Sequence, residues 1–147
     1  YLKSNQLSSK GNFKNNFHDG LWIEYYVNGK ISSKKNYELG VLDGLWEFYW
    51  DNGKLRSKLE FKDGKKNGIW ERYFFNGNLQ NRGLYKDNHR EELWEYYWPN
   101  GQLSKKFIYK NNKKHGVFVF YNNNGKLFKK EYYGNGELIS CEGENCQ

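Results

Sequence analysis

The residues able to carry acid–base, nucleophilic or metal chemistry are few and scattered. His18, His89 and His115 are the three histidines. They fall at unrelated spacings in loop-like stretches, and none stands beside a motif partner. No glycine-rich phosphate loop, nucleophile elbow or metal-ligand spacing occurs. Cys141 and Cys146 are the two cysteines. Their C-x4-C spacing in a polar tail fits either a small disulfide loop, which implies export, or two free thiols. Without neighbouring histidines it is a weak zinc signal. Glu71 and Glu95 share one repeat phase and could align carboxylates, but an active site normally breaks a repeat's symmetry, and no such break is visible. The expectation is a non-catalytic chain without a cofactor or metal.

The chemistry of contact is better supplied. Trp22, Trp46, Trp70 and Trp94 stand 24 residues apart, and the next step falls on Phe118. Lys34, Lys58, Arg82, Lys106 and Lys130 keep the same step, with Lys10 before them. A cation over an exposed indole contributes ~0.5–1 kcal/mol, which would explain both columns together. A third series varies: Tyr26, Trp50, Phe74, Trp98 and Asn122. The candidate binding residues are therefore Trp22, Trp46, Trp50, Trp70, Phe74, Trp94 and Trp98, with the basic column of Lys34, Lys58, Arg82, Lys106 and Lys130.

These columns require a regular scaffold. Each tryptophan is followed three residues later by Tyr25, Tyr49, Tyr73, Tyr97 or Tyr121, and then by Asn-Gly at 28, 52, 76, 100 and 124. An aliphatic comes next (Ile31, Leu55, Leu79, Leu103, Leu127), then a second aromatic (Tyr37, Phe61, Tyr85, Tyr109, Tyr133). Tyr1, Leu7 and Phe13 fit the same columns, so the chain is expected to begin inside an earlier repeat. Aromatic β-formers around Asn-Gly read as a β-hairpin, and polar Gly-containing joins separate one hairpin from the next. The expected fold is all-β: an elongated single antiparallel sheet of tandem 24-residue hairpins. Its expected units are a partial repeat at 1–17, then 18–41, 42–65, 66–89, 90–113 and 114–137, followed by a tail at 138–147. Six hairpins would extend roughly 55–60 Å.

Two turn registers are open. A two-residue turn sets Glu47 opposite Lys58, Glu71 opposite Arg82 and Glu95 opposite Lys106. A three-residue turn with Gly in a bulge sets Trp22 opposite Lys34, Trp46 opposite Lys58, Trp70 opposite Arg82, Trp94 opposite Lys106 and Phe118 opposite Lys130. Pro99 suits the first central position of a type I turn and would lose a ladder hydrogen bond at a paired position, which favours the bulged turn. In that register one face carries Leu21, Leu45, Ile69, Leu93 and Val117 with the Tyr25, Ile31 and Tyr37 columns. The other carries the tryptophans, the basic column and the variable aromatics, and is the expected binding face.

The pattern Asp-Gly-x-Trp-x-x-Tyr-aromatic-x-Asn-Gly-x-aliphatic, from Asp19 to Ile31 and from Asp43 to Leu55, resembles the bacterial variant of the MORN repeat over about residues 1 to 137. It departs at Glu92, and at Asn88 and Asn112, where the pattern has Gly. The resemblance implies a MORN-like solenoid of hairpins used for protein or lipid contact. Many bacterial members look like the antitoxin or immunity partner of a toxin.

Composition bounds the partners. Apolar residues make up 37% and aromatics alone 20%, which suits a thin structure with two partly wetted faces. The net charge is +7, which permits an acidic partner. Acidic residues interleave the basic column and no nucleic-acid module is recognisable, which argues against nucleic acid. The expected partner is another protein. A cell-envelope role on glycan or a membrane surface is the alternative, and self-association through edge strands is a further route. No segment is apolar enough for a membrane-spanning helix, and no signal peptide is visible. Localisation is left open.

Overall fold

The computed structural model describes residues 8–146, so the columns expected at Tyr1 and Leu7 lie outside the described residues. Among the described residues there is no helix. The strands are β1 (Ser9–Lys14), β2 (Phe17–Tyr25), β3 (Ile31–Glu38), β4 (Val41–Tyr49), β5 (Leu55–Lys62), β6 (Lys65–Lys66), β7 (Gly68–Tyr73), β8 (Leu79–Lys86), β9 (His89–Tyr97), β10 (Leu103–Lys110), β11 (Lys113–Lys114), β12 (Gly116–Tyr121), β13 (Leu127–Gly134) and β14 (Glu137–Gly143). They form one open antiparallel sheet in sequence order. β6 and β7 both pair with β5 and are one strand broken at Asn67, whose N–H donates to the Glu60 carbonyl at 2.9 Å. β11 and β12 repeat that break against β10 at His115.

The turns have three residues, as Pro99 suggested. In the second hairpin the Gly53 N–H donates to the Trp50 carbonyl at 2.9 Å, and the Trp50 N–H to the Lys54 carbonyl at 2.8 Å. Gly53 takes a φ of 91°, a left-handed value that disfavours most other residues. Asn52 acts in two ways: its Oδ1 accepts the Lys54 N–H at 2.8 Å, and its Nδ2 donates to the Phe75 carbonyl of the next hairpin at 3.2 Å. Asn28, Asn76 and Asn100 repeat both contacts. The Asn-Gly column thus makes the turn and also ties each turn to its neighbour.

The register beyond the turn corrects the expectation. Tyr49 pairs with Leu55, but Phe48 pairs with Ser57, which leaves Arg56 as an extra, unpaired residue. This second bulge recurs in every hairpin, at Ser32, Gln80, Ser104 and Phe128. One added residue reverses the alternation of everything beyond it. Glu47 therefore stands opposite Lys58, Glu71 opposite Arg82 and Glu95 opposite Lys106. The expected Trp–basic pairs do not form: Trp22 faces Lys35, Trp46 Leu59, Trp70 Gly83, Trp94 Phe107 and Phe118 Glu131.

The two faces are re-sorted accordingly. The tryptophan column shares its side with the Tyr37 column, as ring centroids show for Trp46–Phe61 (5.1 Å), Tyr85–Trp94 (5.0 Å) and Phe118–Tyr133 (4.6 Å). This side holds the core: Trp94, Tyr109 and Phe118 are buried, with Trp70, Tyr85, Tyr96, Phe107, Phe120 and Tyr133 packed against them. The basic column joins the Leu21 and Tyr25 columns on the opposite side, and the Leu21 row remains exposed there.

The departures at Glu92, Asn88 and Asn112 also acquire a physical reading. They take φ values of 55°, 69° and 65°. Each occupies a left-handed position, which asparagine tolerates better than glutamate.

Candidate binding site

On the side opposite the core, two members of the basic column are paired with glutamates and a third lies near a tyrosine ring. Lys58 Nζ lies 2.8 Å from Glu71, Arg82 Nε 2.7 Å from Glu95, and Lys34 sits 5.5 Å from the centre of the Tyr49 ring. Tyr73 and Tyr97 donate their hydroxyls to the same two glutamates. Burial raises the Glu71 carboxyl, but the Lys58 and Tyr73 contacts outweigh it and hold it below its ordinary value.

Burial, and then the Glu71 carboxylate accepting its hydroxyl, push Tyr73 up to about 12. The fold therefore holds the neutral phenol. That contribution is fully present below the ordinary tyrosine value of 10.0 and is lost as pH rises towards about 12. Tyr49 and Tyr97 are also raised, burial first and a glutamate second. The melting temperature should fall steeply through that window, and less steeply in Tyr73→Phe. An identical slope in the variant would show that the Tyr73–Glu71 contact contributes nothing.

The tryptophan column divides by burial. Trp94 is 1% exposed and Phe118 1%, too buried to meet a partner. Trp22, Trp46 and Trp70 are half-buried in ring contacts. Of the variable series, Trp98 is exposed and donates its indole N–H to the Tyr121 carbonyl at 3.1 Å. Phe74 closes a turn through its backbone N–H, which donates to the Asn78 carbonyl. Trp50 lies 5.8 Å from Phe75 and carries the Arg56 guanidinium 4.7 Å above its ring.

Cations do meet aromatics on the core side, but they are not the expected ones. Lys66 lies over Tyr85 at 4.9 Å, Arg90 over Tyr109 at 4.2 Å and Lys114 over Tyr133 at 4.5 Å. These three keep the 24-residue step, a signal that was open to a column reading. Lys35, Lys105 and Lys129 add contacts over Trp46, Tyr96 and Phe120.

On this side two variable positions of the repeat come together in a cleft. Phe48, Arg56, Ser57, Trp70 and Arg72 line a cleft of about 260 Å³. Arg72 stands opposite Ser57, and Ser57 opposite Phe48, so three neighbouring strands bring the residues together. At the Arg72 position the other repeats carry Glu24, Phe48, Tyr96 and Phe120; at the Arg56 position they carry Ser32, Gln80, Ser104 and Phe128. The two arginines thus meet at a single point of the array. Among the described residues, neither guanidinium has a carboxylate within ion-pair distance, whereas Lys35, Lys58, Arg82 and Lys129 each do. The cleft offers positive charge and aromatic walls. Its lining contains no histidine or carboxylate to activate Ser57.

The MORN repeat variant model matches residues 19–39, 42–63, 66–87, 93–111 and 114–135. The chain belongs to the MORN repeat variant family. MORN repeats typically mediate protein, membrane or lipid contacts and are generally non-catalytic. Among curated proteins, none matches the chain. Among solved structures, a mutant of S. aureus TarM in complex with fondaparinux, alpha-GlcNAc-glycerol and UDP is similar, with a TM-score of 0.43 and 13% identity. The match covers 74% of this chain and 21% of that one, and a likeness of that size carries no argument.

At the end of the array, Cys141 on β14 and Cys146 are joined by a disulfide, with their Cα atoms 5.6 Å apart.

Proposed function

We propose that this MORN array is a non-catalytic module that binds another protein through its core-side surface, around the cleft between Arg56 and Arg72. The observation that carries this reading is the meeting of two arginines, neither with a carboxylate partner, beside Trp50, Trp70 and Phe48, at two positions that vary from repeat to repeat. Arginine and tryptophan are the side chains that dominate interface hot spots. A structural role would call for the same residues in every hairpin. The specific form to test first is the immunity or antitoxin partner of a toxin, which rests on the family resemblance.

The Cys141–Cys146 bond favours a second reading. Disulfides persist in oxidising compartments, where a cell-envelope protein would meet glycan or lipid instead. The test is capture by the full chain from its native cells, run beside binding to anionic vesicles and to glycans. A stoichiometric protein partner that neither vesicles nor glycans displace is expected. Binding to vesicles or glycans alone, with no protein retained, would overturn the proposal.

A further inference from the structure

Two arginines without a carboxylate partner leave net positive charge at this surface cleft, which attracts an acidic group. Arg56 is held in place by the Trp50 ring at 4.7 Å, and Arg72 is fixed on β7 opposite Ser57. A guanidinium presents a rigid fork that matches a carboxylate through two parallel hydrogen bonds. The cleft, about 260 Å³ and open to solvent, has room for a side chain. The Phe48 and Trp70 rings beside the arginines offer apolar cover for the stem of such a group.

We infer that the Arg56–Arg72 cleft is a docking site for an acidic protein segment, with a carboxylate held by the two guanidiniums and an adjoining apolar side chain set against Phe48 and Trp70. This inference rests on the protein-binding reading above and names the chemistry that the partner must present. A free phosphate would satisfy the forks but leave the aromatic walls uncovered, so it should bind more weakly than the segment.

The experiment is an NMR titration of the full chain, following the arginine Nε–H and tryptophan indole signals. The probe is an acetylated Glu-Phe-Asp-Leu-Glu peptide amide. The comparators are the same peptide with Gln and Asn in place of the acids, and inorganic phosphate. The acidic peptide should move the Arg56, Arg72, Trp50 and Trp70 signals. Its affinity should fall about 10- to 100-fold in the Arg56→Lys/Arg72→Lys double variant, which keeps the charge and loses the forks. Both sites are on the surface, and an unchanged melting curve for the variant would show that it is folded. Unaltered peptide affinity in the variant would overturn the inference, and so would equal binding of the Gln/Asn peptide or of inorganic phosphate. If the captured native partner binds the double variant as well as wild type, the cleft is refuted as the docking point, here and in the proposed function alike, while protein binding itself stands. Failure to capture any protein would refute that reading itself.

Discussion

Trp94→Ala should be the most damaging single truncation in the chain, at about 3–5 kcal/mol. The Trp94 ring is 1% exposed and touches Trp70 at 5.6 Å, Tyr85 at 5.0 Å and Tyr109 at 6.1 Å. Removing it opens a hole between two hairpins, β7–β8 and β9–β10, that have no second layer to close over it. Because each hairpin leans only on its neighbours, the damage should stay local. Urea unfolding should split into two phases, with the hairpins around Trp94 lost first, whereas wild type unfolds more cooperatively. Trp46→Ala removes a half-buried ring and should cost less. Equal effects at the two sites would mean that the core is not concentrated where Trp94, Tyr109 and Phe118 meet.

The second large effect is expected from adding one carbon. Gly83 lies opposite Trp70 and under the Trp94 ring, and a Cβ built on it would collide with ring atoms of Trp94. Its φ is not in the left-handed region, so the glycine is required by the ring rather than by the backbone. Gly83→Ala must move the indole or shift the strand, at about 1–3 kcal/mol. In a Trp94→Ala background the same change should be nearly neutral, so a double-mutant cycle should return a large coupling. Additive effects would show that the two residues do not share the contact. Gly11 bears the same relation to Trp22, which makes small residues in this column a local answer to a flat-lying ring.

Much of the fold was legible because the repeat writes each element five times. Asn-Gly marked the turn, Pro99 distinguished the three-residue loop, and the aromatic columns fixed strand order. The second bulge was not legible. It falls on Ser32, Arg56, Gln80, Ser104 and Phe128, residues with no shared chemistry and no glycine, so no residue type marks the extra position. Missing it exchanged the partners of every residue beyond the turn. The basic column was thereby assigned to tryptophans when it belongs with Glu47, Glu71, Glu95 and the Tyr25 column. The cations that do cover rings, Lys66, Arg90 and Lys114, keep the 24-residue step and form a column of their own. The Arg56–Arg72 cleft was hidden for the opposite reason. Its arginines stand where no column runs: Arg72 interrupts the aromatics Phe48 and Tyr96, and Arg56 shares its position with Ser32, Gln80, Ser104 and Phe128.

The most direct measurement is hydrogen–deuterium exchange on the complex with the captured partner, compared with the free chain. Protection gained around Phe48, Arg56, Ser57 and Arg72, with little change along the exposed Leu21, Leu45, Ile69, Leu93 and Val117 row, is the predicted result. Because amides report strands rather than faces, the comparison is completed by Arg72→Ala and Ile69→Ala on the same strand. Loss of the protection with Arg72→Ala and its retention with Ile69→Ala agree with a core-side interface. The reverse pattern would place the partner on the aliphatic row and contradict it.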